Sequence, residues 1–359
     1  MTADHTHRVY DHVLEMLSSE ANPTPLVRLN HVTGFEHTQV YAKLEWYNPF
    51  GAVKDRVAAN MIRDGEAKGL VGPKQQLVEP TSGNTGMGLA MISNLKGYQL
   101  TTPLSVEIPE EKRVMLRFAG AHVEELEDTL CPAPGAPEGA IARANEHAQK
   151  PDFHMLNQYE NEANFEAHIR TTGPEIWRQT GGAITHFASA MGTCGTITGN
   201  GRFLKAKNPE IQIIGVHPSE GHDIPGVRSL RQLQQTKLFH PDEYDQIVEI
   251  DDADAYAMCL RLNREEGLIA GPSAALGLLG AIRNIEDKPG HRVVVIFADN
   301  IYKYASSFQR HFPDCQVAGA TATEPSRDER LMQQMIANAR TGSDTIEIGE
   351  LHPQLAQGQ

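Results

Sequence analysis

The 359-residue chain has no uninterrupted apolar stretch near the ~20 residues that span a bilayer. Its best candidate, Gly267 to Ile282, is broken by Pro272, Ser273 and several glycines, which argues against a membrane helix. Cysteine is scarce: Cys131, Cys194, Cys259 and Cys315 are far apart and form no CxxC pair. They read as reduced thiols rather than a disulfide framework. His5, His7 and His12 make no metal-ligand pattern with them, and no metal site is expected. Positive charge is also short. Lys plus Arg is 32 against 46 for Asp plus Glu, a net charge of -14. That balance disfavours nucleic acid or an anionic membrane as a partner. No GxGxxG unit is followed by an acidic residue about 20 positions on, as a dinucleotide-binding dehydrogenase needs. The opening MTADHTHRVYDH lacks an apolar signal-peptide segment, so the expected location is cytoplasmic.

What is present is ordinary globular material, 40% apolar and 22% charged, long enough for about two domains. Strand-like runs occur at Val40 to Leu44, Gln76 to Val78, Ile211 to Val216 and Val293 to Phe297. Amphipathic stretches separate them: Val53, Val57, Met61 and Ile62 share one helix face, and Ala253 to Glu266 has similar spacing. Such alternation predicts an α/β fold with mostly parallel sheets covered on both faces. The unbroken run VVVIF suits a strand deep in a parallel sheet. No internal repeat is visible. Residues 131–140 read as a surface loop, and the polar tail after Ala320 as one short helix with a frayed end.

Four segments carry chemistry. In NPFGAVKDR a turn delivers Lys54 to the start of a helix. An isolated lysine there is ordinarily solvated; a Schiff-base lysine would need burial or nearby positive charge to become neutral. In EPTSGNTG, Thr81, Ser82, Thr85 and two glycines open a helix after a strand, a place that binds anions such as a carboxylate. Thr81 or Ser82 as a plain N-cap explains one hydroxyl but not all three. Gly192-Thr193-Cys194-Gly195-Thr196 is a backbone nest that suits a phosphate monoester, with a structural turn as the alternative. It lacks the Lys-Ser/Thr ending of a nucleotide P-loop. Ser273, in GPSAA, reads equally as a site residue or an N-cap.

Together these blocks resemble the cysteine synthase branch of the pyridoxal 5'-phosphate (PLP) enzymes of fold type II, the tryptophan synthase β-like family. The likeness runs from NPTPLVRL at 22–29 to about Gln309, through NPFGAVKDR, PTSGNTG, NQYENEAN, GTCGTITG and the Ser273 segment. It implies that Lys54 forms the internal aldimine and is the catalytic base. It implies that Asn84 hydrogen-bonds the ring hydroxyl, that Gly192, Thr193, Cys194, Gly195 and Thr196 hold the phosphate, and that Ser273 faces the pyridine nitrogen. Thr81, Ser82, Thr85 and Gln158 would grip the substrate carboxylate. Cys194 departs from the family's usual glycine, which a loop binding through backbone N–H groups tolerates. The implied activity is β-replacement: an O-activated serine loses its β-group to give an aminoacrylate, and a sulfur nucleophile adds to make L-cysteine.

The stretch GVRSLRQ at 226–232 resembles the subgroup that uses O-phosphoserine, and Arg231 aligns with its phosphate-contacting arginine. Arginine's planar fork suits a phosphate; a neutral acetyl group would not need it. Solvated surface charge is the alternative for Arg228 and Arg231. Residues 298–304 and 198–204 lean toward the same subgroup. O-phosphoserine is therefore favoured over O-acetylserine. Competing readings are a cystathionine β-synthase, a diaminopropionate-type synthase, and an inactive PLP-fold binding or regulatory protein.

The resemblance further implies two three-layer α/β/α domains with PLP in the cleft between them. The smaller would cover 36–155 and carry Lys54 and the carboxylate loop. The larger would take 1–35 plus 156–315 and carry the phosphate loop, with 316–359 as a polar tail. It also implies a homodimer, small-molecule substrates, and a sulfur donor that is sulfide, thiosulfate or a thiocarboxylated carrier protein.

Overall fold

The computed structural model of the chain describes residues 8–73, 75–127 and 138–316. Cys131, His5, His7, the body of the expected 131–140 loop and the helix expected after Ala320 lie outside them. Glu138, Gly139 and Ala140, expected in that loop, are instead the first residues of a helix.

Six strands form one sheet in the order β1 (Leu26–Arg28), β2 (Gln39–Leu44), β10 (Arg292–Phe297), β7 (His186–Ala190), β8 (Gln212–Pro218), β9 (Gln246–Ile250). All neighbours are parallel except β1 with β2. Four strands form a second, wholly parallel sheet in the order β5 (His122–Leu126), β4 (Gln99–Ser105), β3 (Gln76–Val78), β6 (Phe153–Met155). The intervening helices are α1 (Lys54–Ala67), α2 (Asn84–Lys96), α3 (Glu110–Phe118), α4 (Glu138–Ala148), α5 (Ala163–Arg170), α6 (Thr172–Gln179), α7 (Gly195–Lys207), α8 (Leu230–Leu233), α9 (Asp252–Glu265), α10 (Pro272–Asn284) and α11 (Ala305–His311). The fold is mixed α/β, as the alternation predicts, and the expected runs at β2, β3, β8 and β10 are all strands. The described residues up to His311 form one compact unit; a second begins at Phe312, where Pro313–Cys315 make one 3-10 turn. Among the described residues no helix is long and apolar enough to cross a membrane.

Each sheet has its own apolar core. Val57, Met61, Leu77, Leu89, Leu100 and Leu116 pack around the four-stranded sheet. Phe187, Met191, Ile197, Ile213, Val294 and Ile296 pack around the six-stranded one. β2 differs from the expected partition. Although it falls within 36–155, it pairs along its full length with β10 in the six-stranded sheet. Its buried Val40, Ala42 and Leu44 belong to that layer.

The strand orders show where a site can form. In open parallel sheets, ligands bind outside the carboxyl ends of the strands. In the four-stranded sheet the adjacent parallel strands β3 and β6 end in Thr81–Gly86 and Asn157–Gln158. In the six-stranded sheet the adjacent parallel strands β7 and β10 end in Gly192–Thr196 and Ala298–Tyr304. The candidate segments thus emerge at the carboxyl ends of adjacent parallel strands in both sheets.

Candidate active site

Lys54 is the first residue of α1, and the turn before it is held from several directions. The Gly51 N–H bonds to Asn48 O at 3.0 Å, and Gly51 has a φ of 84°, a left-handed backbone that favours glycine. The Val53 N–H bonds to Ala298 O, the residue after β10, at 2.9 Å. The buried Asp55 carboxylate accepts from the Phe50 N–H at 2.7 Å. The next residue, Arg56, lies in a buried charge cluster with Glu45, Glu175 and Lys43. Lys54 Nζ donates to Thr193 Oγ1 at 3.1 Å. Burial lowers this amine to about 8, while the neighbouring Cys194 and Glu79 act to raise it.

The glycine loop reads as a cradle. Cys194 adopts a φ of 66° and caps α7, with no side-chain bond to the helix end. The first backbone bond of the helix is Thr198 N–H to Cys194 O, at 3.0 Å. The N–H groups of Gly195, Thr196 and Ile197 therefore have no partner within the helix and carry its positive dipole end. A Cβ on Gly192 would stand 2.3 Å from Gly226 O, and one on Gly195 would stand 2.0 Å from Asn164 Oδ1, so both positions require glycine. His168 bridges Thr172 (2.9 Å) and Thr196 (3.3 Å) by its two ring nitrogens. Burial pushes this imidazole down to about 3, and it stays neutral. Burial also raises the Cys194 thiol to about 12, which keeps it protonated.

On the facing layer, Thr81 Oγ1 accepts from the Gly86 N–H at 3.2 Å. Thr81 thus satisfies one N–H of α2 although the cap itself is Gly83. Thr85 Oγ1 donates to Gln158 Oε1 at 2.6 Å. Ser82 is half-buried at the mouth of the loop. Gln158 is held from behind by Glu79, whose carboxylate accepts from the N–H groups of Asn157 (2.7 Å) and Gln158 (3.1 Å). Burial pushes Glu79 up to about 7, against these bonds and the Lys54 charge. Asn164 Nδ2 donates to Gln158 O (2.6 Å) and to Thr193 Oγ1 (3.0 Å). A continuous path of hydrogen bonds therefore runs from Thr85 through Gln158, Asn164 and Thr193 to Lys54.

Asn84, the first residue of α2, bonds to Asp299 and Lys303, in the segment after β10. Ser273 is buried at the second position of α10 and is not its cap; Gly271 is, with Pro272 at the first position. The N-cap alternative for Ser273 is thereby removed. Arg231 is not brought to this group: its side chain is 80% exposed and faces Glu220 at 3.6 Å. Its exposure follows from its place on the outer side of the short helix α8, where only Leu233 is buried. Arg228 is the better-placed cation. Its guanidinium lies 4.2 Å over the Tyr159 ring, Nη1 donates to Thr236 at 3.2 Å, and the buried Nη2 has no hydrogen-bond partner. Its backbone N–H bonds to Met191 O, beside the glycine loop.

Glu79, Asn164, His168, Asp299 and Lys303 escaped the sequence reading as site residues. All but His168 sit in or beside segments singled out there, so the available signal was a polar residue flanking a glycine loop or closing a strand.

Comparison with known proteins agrees with this geometry. Residues 17–299 match the pyridoxal-phosphate dependent enzyme family. Cysteine synthase B of Escherichia coli is 38% identical over 294 residues, which is 82% of this chain and 95% of that protein. Among solved structures, the cysteine synthase of Entamoeba histolytica superimposes with a TM-score of 0.77 at 27% identity, covering 86% of this chain and 93% of that one. A hydrogen sulfide-producing enzyme of Fusobacterium nucleatum gives a TM-score of 0.74 at 29% identity, covering 82% and 98%. The chain belongs to the PLP-dependent enzyme family, in its cysteine synthase branch.

Proposed function

We propose that the enzyme makes L-cysteine by replacing the β-substituent of an O-activated serine with a sulfur nucleophile, O-phosphoserine being preferred to O-acetylserine. PLP, when bound, supplies an aldehyde for amines and an electron sink for negative charge at Cα. The residues present fit that group. The loop packs so tightly that a Cβ at Gly192 or Gly195 would collide with Gly226 O or the Asn164 side chain, and the N–H groups of 195–197, unpaired within the helix, are left for its phosphate. A lysine lowered to about 8 stands beside the cradle for its aldehyde. Asn84 would meet its ring oxygen and Ser273 its ring nitrogen. A serine hydroxyl does not hold a proton on that nitrogen as a carboxylate would. The weaker sink favours prompt loss of a β-group over transamination.

The chain's own groups then divide the work. Lys54 Nζ, once released, takes the Cα proton as general base. Thr193 Oγ1 accepts from that amine and orients it. Thr81, Ser82, Thr85 and Gln158 hold the substrate carboxylate at the end of α2, where the helix dipole favours an anion. Arg228, with a free and buried Nη2, would meet the leaving phosphate in place of the exposed Arg231. The reading further includes a cytoplasmic homodimer, and a sulfur donor that is sulfide, thiosulfate or a carrier-protein thiocarboxylate.

The hydrogen bond from Lys54 Nζ to Thr193 carries the proposal, because it puts a lysine amine in the phosphate loop. The test is cysteine formation by the holoenzyme from O-phosphoserine, O-acetylserine or serine with sulfide. The expected order of kcat/KM is O-phosphoserine, then O-acetylserine, with serine far behind. A higher value for O-acetylserine would remove the phosphate preference, and no cysteine from any of the three would remove the function.

A further inference from the structure

We propose that Asp299 and Lys303 are positioning residues that clamp the Asn84 side-chain amide from both ends and so fix the N–H that Asn84 presents to the cofactor. This rests on the role given to Asn84 above. Asn84 Nδ2 donates to Asp299 Oδ2 at 2.8 Å, and Asn84 Oδ1 accepts from Lys303 Nζ at 2.7 Å. A carboxylate only accepts and an ammonium only donates. Turning the amide over would set its NH₂ against the ammonium and its oxygen against the carboxylate, so both contacts would become repulsive. One orientation is therefore selected, and one N–H of the amide is left for a third partner.

The clamp is itself anchored. Asp299 is 1% exposed, and Tyr304 OH donates to its Oδ2 at 2.7 Å. The Asp299 carbonyl accepts from the Gly271 N–H, two residues before Ser273, at 3.2 Å. Lys303 Nζ also reaches Gly51 O at 3.2 Å, in the turn that presents Lys54. One segment, 298–304, thus touches the Lys54 turn, the start of α10 and Asn84. The segment follows β10 of the six-stranded sheet and Asn84 opens α2 beside the other sheet, so the clamp links the two layers. Asp299 Oδ1 is buried and has no partner, an unusual expense for a carboxylate with only a structural role.

The test is a double-mutant cycle on cofactor affinity. Apoprotein of the wild type, Asn84→Ala, Lys303→Met, Asp299→Asn and the two double variants with Asn84→Ala is titrated with PLP, and visible absorbance gives Kd. Thermal unfolding of each apoprotein is read in parallel. Lys303→Met, at a half-buried site, is expected to keep the apoprotein melting temperature and to weaken binding about tenfold, the scale of one charge-assisted hydrogen bond. Asp299→Asn, nearly isosteric, is expected to weaken it in the same sense. In the Asn84→Ala background either change is expected to alter Kd less than about twofold, because its effect passes through Asn84. The clamp is overturned if Lys303→Met binds PLP like the wild type, or if its loss persists undiminished in the Asn84→Ala background. Unchanged affinity of Asn84→Ala alone would overturn the role of Asn84, and the clamp with it. A loss in Asn84→Ala with none in Lys303→Met would overturn the clamp alone.

Discussion

A lysine that can shed its proton near neutral pH is the chemical requirement at the scale of single residues. Burial brings Lys54 down to about 8, and an amine must be neutral to attack an aldehyde. Uptake of PLP by the apoprotein should therefore accelerate about tenfold per pH unit below ~8 and level off above it. Stopped-flow absorbance measures this, and a rate still climbing near pH 10 would return Lys54 to the ordinary lysine range. The two arginines make a second residue-scale contrast. Arg228→Ala is expected to lower kcat/KM for O-phosphoserine about 10- to 100-fold and to spare O-acetylserine, the size of one hydrogen bond to a charged group. Arg231→Ala should change neither more than about threefold. Equal losses on both substrates in steady-state kinetics would deny Arg228 its contact with phosphate. Sequence pattern alone could not separate these residues: Arg228 lies in the loop before the cap of α8 and stacks on Tyr159, whereas Arg231 lies on the short helix itself and points to solvent.

Among the elements, α1 matters most, since its first residue is Lys54. It is fixed at one end by Arg56, held between Glu45 and Glu175 with Lys43 beside them, all buried. Along its length Val57, Met61 and Ile62 pack toward the four-stranded sheet. Removing one member of a buried ion cluster strands its partners, so Glu175→Ala should cost about 3–5 kcal/mol of unfolding free energy in urea titrations. A loss below about 1 kcal/mol would mean that the cluster is not what holds α1. The elements differ in how plainly the sequence announces them. β2, β3, β8 and β10 are apolar runs and stand out. β4 carries Pro103, which a central strand ordinarily excludes. It is accommodated because the pairing with β3 ends at Thr101. β5 reads HVEEL, with acidic side chains on a sheet edge where Glu124 meets Arg143 and His147, and Glu125 meets Arg113 and Arg117. Those pairings come from helices before and after the strand and leave no mark in its own pattern.

For the molecule as a whole, the proposed function depends on two mostly parallel sheets whose strand ends carry the candidate segments. The glycine loops and Lys54 were legible because each lies within one short segment. Gln158 to Thr85, Asn84 to Asp299 and Asn164 to Thr193 were not legible as contacts, since their partners are 73, 215 and 29 residues apart in the chain. Thr81–Gly86, proposed to hold the substrate carboxylate, follows the four-stranded sheet, and Gly192–Thr196, proposed to hold the cofactor phosphate, follows the six-stranded one, so a substrate joined to the cofactor should draw the layers together and exclude water. Crystal structures of the holoenzyme with and without a bound amino acid should differ by a rotation of the 76–155 layer against the six-stranded sheet, and an unchanged superposition would rule that closure out. The central claim is that Lys54 carries the cofactor. Borohydride reduction of the holoenzyme, followed by proteolysis and mass spectrometry, should place a pyridoxyl phosphate adduct on the peptide containing Lys54. An adduct on another lysine, or none at all, would contradict the account.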